Sequence, residues 1–158
     1  MSQRSADHAT FVLERTYAAS PDRVFDAWAD PVAKARWFSG PAEWTRTEHE
    51  LDFRVGGREV NRVAAPDGPV YTYEARYQDI VANKRIIYGY DMYLDDRRIS
   101  VSLATVELEP DDAGTRLIFT EQDVFLDSLD SADQREQGSR ELLDALDAEL
   151  QRAAAANV

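Results

Sequence analysis

The stretch DFRVGGREV, residues 52–60, decides between two folds, because the adjacent Gly56 and Gly57 suit either a phosphate-cradling loop or the turn of a β-hairpin. A phosphate loop leaves a strand and opens a helix. Here the glycines run into REVNRVAA, which reads as another strand, so a two-residue Gly-Gly hairpin is expected. Further turn signals follow at Ala65-Pro66-Asp67-Gly68, Ala82-Asn83-Lys84, Asp95-Asp96 and between Pro110 and Gly114. Gly and Asn tolerate positive φ, and Pro presets the first turn position.

The segments between these turns alternate with period two. In YTYEARYQDI, Tyr71, Tyr73, Ala75 and Tyr77 share one face, as do Ile86, Tyr88, Tyr90, Met92 and Leu94 in RIIYGYDMYL. RISVSLATVEL and TRLIFTEQDVF are rich in β-branched and apolar residues. Consecutive strands joined by short turns make an antiparallel meander. Helices are expected at both ends. Ser20 and Pro21 give a cap and a first-turn proline before Val24, Phe25 and Trp28, and Asp30-Pro31 repeats the signal for a second short helix, PVAKARWF. A third helix opens at the Ser131–Gln134 capping box and runs to about Ala154, with Ser139, Leu142, Leu143, Leu146, Leu150 and Ala153 on its inward stripe.

At 158 residues the chain suits one domain, placed at residues 9–154, with a disordered tail over 1–8 and a fraying end over 155–158. No cysteine is present, which removes disulfides, thiolate metal sites and cysteine nucleophiles. The 30 acidic against 18 basic residues give a net charge of -12, so nucleic acid is disfavoured as a partner, as is an anionic membrane surface. The N-terminal stretch lacks the basic and apolar regions of a signal peptide, and no run approaches the ~20 apolar residues of a membrane span. A soluble, cytoplasmic protein without membrane insertion is expected.

The order strand, helical elbow, meander and long last helix is that of the α+β helix-grip fold, a curved antiparallel sheet wrapped around the C-terminal helix. The sequence resembles the SRPBCC (START-like, Bet v-like) superfamily. Within it, the likeness is to the family of homologues of the activator of heat-shock protein 90 ATPase. It is carried by ASPDRVFDAWADPVAKARWFSGP, DFRVGG, RISVSLATVELEPDDAGTRLIFTEQ and REQGSRELLDALDAEL, which together span nearly the whole chain. Most of these motifs serve the fold, and the resemblance implies no shared catalytic set. Many relatives place an aromatic residue after the glycine of the last helix; here Ser139 stands there and leaves room above the sheet.

A sheet that grips a helix encloses space. Tyr73, Tyr77, Tyr88 and Tyr90, with apolar rings and polar tips, are the expected lining, together with Glu121, Ser139, Leu142, Leu143 and Leu146. Glu121 shares parity with Leu117 and Phe119, as does Asp123, and a carboxyl in such a place has a raised pKa. Arg54, Arg58 and Arg62 are its candidate partners in type. His49 reads as a surface or loop residue, and His8 falls in the tail. With no second histidine at ligand spacing, no metal site is assigned. No G-x-S-x-G elbow or other catalytic motif appears, and no catalytic residue or cofactor is assigned. Trp37, Phe38 and Trp44 flank Gly40-Pro41 and either close the core or form an apolar mouth.

Three functions remain. The first is a binding domain for an apolar or aromatic small molecule, held between sheet and last helix. The resemblance implies two others: a co-chaperone that activates a heat-shock chaperone ATPase, or a cyclase or hydrolase of polyketide-like substrates. An exposed outer sheet face also makes a homodimer reasonable.

Overall fold

In the computed structural model, which describes residues 4–156, the alternating segments form one sheet. The strands are β1 (Ala6–Tyr17), β2 (Thr45–Leu51), β3 (Arg58–Ala64), β4 (Val70–Val81), β5 (Arg85–Leu94), β6 (Arg97–Asp111) and β7 (Gly114–Leu126). The helices are α1 (Pro21–Ala29), α2 (Pro31–Trp37) and α3 (Ala132–Ala156). All neighbours are antiparallel, in the order β1-β7-β6-β5-β4-β3-β2, so the first strand closes on the last. This is the expected α+β helix-grip architecture, with the sheet curved around α3.

The expected turns fall at strand junctions, where Asp67, Asn83, Asp95 and Asp112 take positive φ. The 52–57 segment is a correction. Its ends are joined by Asp52 N–H to the Arg58 carbonyl, so the β2–β3 connection spans six residues rather than two. Gly57 N–H turns back to the Arg54 carbonyl, while Gly56 N–H and the Gly57 carbonyl pair with the Tyr77 backbone, beside the bulge in β4. Gly56 has φ +84, and a Cβ on Gly57 would lie 2.0 Å from the Asp52 carbonyl oxygen. The two glycines therefore extend β3 across β4, and neither cradles an anion.

The limits of the domain are also wider than the sequence suggested. Ala6, Asp7 and His8 already belong to β1, where His8 pairs with Val124, and α3 continues through Ala156. Residues 1–3 and 157–158 of the expected termini lie outside the described residues.

At the elbow, Asp30 accepts from Val32 N–H at 3.2 Å and caps α2. Ser20 stands at the N-cap of α1, but its side chain makes no capping bond and turns to Asp22 instead. Ser131 does cap α3, accepting from Gln134 N–H at 3.3 Å. Trp28 and Trp37 meet edge to face at 4.8 Å, and the Trp37 indole donates to the Ala27 carbonyl at 2.8 Å, locking α1 against α2. Leu143, Leu146 and Leu150 of α3 join Leu13, Val106, Leu117, Tyr73, Tyr77, Tyr88 and Tyr90 in one core.

Candidate functional site

Strand register lays the site out as rungs on the concave face. One rung reads Tyr77, Tyr88, Ala104, Glu121 and Phe11 across β4, β5, β6, β7 and β1, and the next reads Ala75, Tyr90, Ser102 and Asp123. Small residues on β6 leave space between the tyrosines and the acids. Above them, α3 stands off the sheet and leaves a cleft of about 1080 Å³. Tyr73, Tyr88, Tyr90, Glu121, Ser139, Leu142 and Leu143 line it, as do Trp37, Phe38, Trp44 and Asn61. Tyr77 and Leu146 do not, since both are packed beneath it in the core. Trp37 and Phe38 thus close the core and face the cleft at once, and Trp44 lies over Tyr71 at 5.4 Å.

Glu121 is 1% exposed, and its partner is none of the three arginines expected from the sequence but Arg135, from the first turns of α3. The Arg135 guanidinium donates to Ser100 at 2.7 Å, to Tyr90 and Asp130 at 2.9 Å and to Ser102 at 3.2 Å, and lies 3.5 Å from Asp123 and 3.6 Å from Glu121. Tyr90 in turn donates to Glu121 at 2.9 Å. Burial raises the Glu121 pKa well above the usual carboxylate range, and the adjoining Asp123 carboxyl adds to that, outweighing Arg135 and Tyr90. Glu121 Oε2 and Asp123 Oδ2 have no hydrogen-bond partner among the described residues.

A second buried cluster lies behind the cleft. Lys34 and Glu59 side chains are both 0% exposed and meet at 2.6 Å; Tyr77 donates to Glu59 at 2.8 Å and His49 at 3.0 Å. Lys34 also sits over the Phe38 ring at 4.4 Å. Burial alone would raise the Glu59 pKa, but the Lys34 charge and the three hydrogen bonds prevail and hold it low; burial lowers that of Lys34. His49 is therefore not a surface or loop residue: β2 turns its ring inward, where the Glu59 carboxylate accepts from it. At the cleft mouth, Glu149 is gripped by Arg36 and Arg152, each with two nitrogens, at 3.0 to 3.2 Å.

Arg135, Glu149, Lys34 and Glu59 escaped the sequence reading, although a signal existed for the first three. Arg135 and Glu149 stand at spacings of three and four from Ser139 and Leu146 on the inward stripe of α3, and Lys34 stands at the same spacings from Trp37 and Phe38. Charged residues on an apolar stripe mark buried pairs. Among the described residues no group of three or more His, Asp or Glu side chains is placed to hold a metal ion. No helix among them is long and apolar enough to cross a membrane.

The fold and the cleft define a START-like helix-grip domain, a class that commonly holds hydrophobic ligands. Residues 18–151 match the model of the activator of Hsp90 ATPase homolog 1-like protein family, and the chain belongs to that family. A Rhizobium leguminosarum structure is 49% identical over 95% of this chain and 99% of its own, with a TM-score of 0.91. A Rhizobium loti protein is also 49% identical, over 92% of this chain and 99% of its own, with a TM-score of 0.84. A Chromobacterium violaceum protein is 27% identical over 89% of this chain and 96% of its own, with a TM-score of 0.76. No curated protein matches the chain.

Proposed function

We propose that this protein binds a small apolar or aromatic molecule in the cleft between the curved sheet and α3. The observation that carries this is the cleft itself, about 1080 Å³ lined by Trp37, Phe38, Tyr73, Tyr88, Phe119 and Leu143. Apolar concave sites of several hundred Å³ with a few placed polar groups suit drug-sized ligands. Ser139 is small and faces that space, so Ser139→Phe should fill it. The test is native mass spectrometry after exposure to a metabolite extract, compared with the mass under denaturing conditions. A discrete releasable mass that is lost in Ser139→Phe supports the proposal; the same mass retained by a folded Ser139→Phe variant counts against the cleft as its seat.

A protein partner is the second reading, favoured by a separate observation. Val12 of β1 and Val101 and Leu103 of β6 are exposed on the outer face of the sheet, away from the cleft. A second copy of this chain, or the chaperone that the family description names, would cover them. Sedimentation tests the first case and the ATPase rate of a cognate chaperone the second; a monomer without effect on that rate removes both.

A further inference from the structure

We propose that the cleft selects an uncharged aromatic molecule carrying a carbonyl or phenolic oxygen, which is seated on the Tyr73 and Tyr88 hydroxyls. This rests on the ligand-binding reading above and adds the chemistry of the ligand.

Tyr73 is 5% exposed, lines the cleft, and its hydroxyl has no hydrogen-bond partner among the described residues. Buried hydroxyls are normally paired, so this one marks a place where a ligand oxygen, or water in its absence, belongs. Tyr88 also lines the cleft and is 3% exposed. Of the neighbouring polar groups, Tyr90 bridges Arg135 and Glu121, and Asn61 accepts from Arg46 and donates to the Phe38 carbonyl, while the Trp28 indole N–H and Glu121 Oε2 at the lining also lack a partner among the described residues. The two phenols, as neutral donors at the floor, suit one ligand oxygen.

The charges decide against an anion. The lining arginines are all engaged, Arg36 and Arg152 by Glu149 and Arg135 by Asp130 and the acids of β7. An anionic head would meet Glu141, Glu149 and Asp130 at the lining, with no free cation among the described lining residues to offset its desolvation. Burial holds both tyrosines protonated far above neutral pH, so they remain donors. The rings favour a flat ligand: Phe38 meets Tyr73 edge to face, and Tyr90 lies beside Tyr73, both at 4.9 Å.

The probe is 6-propionyl-2-(dimethylamino)naphthalene, a neutral naphthyl ketone whose emission moves to the red when its carbonyl accepts a hydrogen bond. The comparison ligands are the same skeleton with propyl in place of propionyl, and the corresponding naphthoate. Wild-type protein should bind the ketone with red-shifted emission, more tightly than the propyl compound or the naphthoate. Tyr73→Phe and Tyr88→Phe should each weaken ketone binding by about five- to tenfold, the loss of one neutral hydrogen bond, and leave propyl binding unchanged. Thermal melting of both variants and of the double variant separates this loss from unfolding. Equal affinity of ketone and propyl compound, or ketone binding unaltered in the folded variants, overturns the inference while leaving cleft binding in place. Binding of neither neutral probe overturns both readings.

Discussion

Arg135→Met should destabilise the fold by about 3–5 kcal/mol, because it removes one side of a buried charged cluster and leaves the other side behind. The guanidinium is 8% exposed and serves Tyr90, Ser100, Ser102 and Asp130 while facing Glu121 and Asp123. Methionine fills much of the volume but returns none of those bonds, so Asp123 stays buried with Ser102 as its hydrogen-bond donor. For a domain of this size each kcal/mol moves the midpoint by about 2–4 °C, which gives a fall of roughly 6–20 °C in a thermal melt. Adding Asp123→Asn removes the stranded charge and should recover about 1–3 kcal/mol, so the two effects are not additive. Urea denaturation of wild type, both single variants and the double variant measures the coupling. A change within about 0.5 kcal/mol for Arg135→Met, or strict additivity in the cycle, would refute the assignment of Arg135 as the pin between α3 and the sheet.

Two further perturbations test the frame around the cleft. The Glu149 pKa is lowered from 4.5 to about 2, first by the hydrogen bonds from Arg152, which with those from Arg36 and both charges outweigh the opposing effect of burial. A depressed acid contributes stability that is full above its unfolded pKa and is lost as pH falls from about 4.5 towards 2; Glu149→Gln should flatten the melting profile over that window. Because the arginine heads are about half exposed, the contribution at neutral pH is about 1–2 kcal/mol, and an unchanged acid profile in the variant would contradict it. Gly57→Ala should cost more than about 1 kcal/mol, since its Cβ would collide with the Asp52 carbonyl; Gly138→Ala, in mid-helix with nothing near its Cβ, should stabilise by about 0.5–1 kcal/mol. Equal melting temperatures for the two variants would show that the 52–57 connection is looser than described.

The sheet was legible because period two is local: the parity of Tyr73, Tyr88 and Tyr90 places them on the concave face whatever their neighbours. The Leu stripe of α3 was legible for the same reason at period 3.6. The hairpin at Gly56-Gly57 misled because turn chemistry shows where a chain bends but does not set the length of the connection. That length is fixed here by pairing of the glycines with Tyr77, a contact twenty residues away in sequence. The partners of Glu121 and His49 were illegible for a related reason. Arg135 and Glu59 are brought to them by tertiary packing, and a search that takes only apolar residues as inward-facing passes over Arg135, Lys34 and Glu149. Tyr77 illustrates a finer limit, since parity put it on the correct face but could not tell the cleft wall from the core beneath, where Glu59 and Lys34 occupy its hydroxyl.

The most direct test of the central claim is an amide chemical-shift map of the protein titrated with the neutral naphthyl ketone. If the cleft is the binding site, saturable shifts will concentrate on Tyr73, Tyr88, Tyr90, Gly138, Ser139 and Leu143, and Val101 and Leu103 on the outer face will stay still. Shifts confined to the outer face, or none at concentrations that saturate comparable apolar sites, would contradict it.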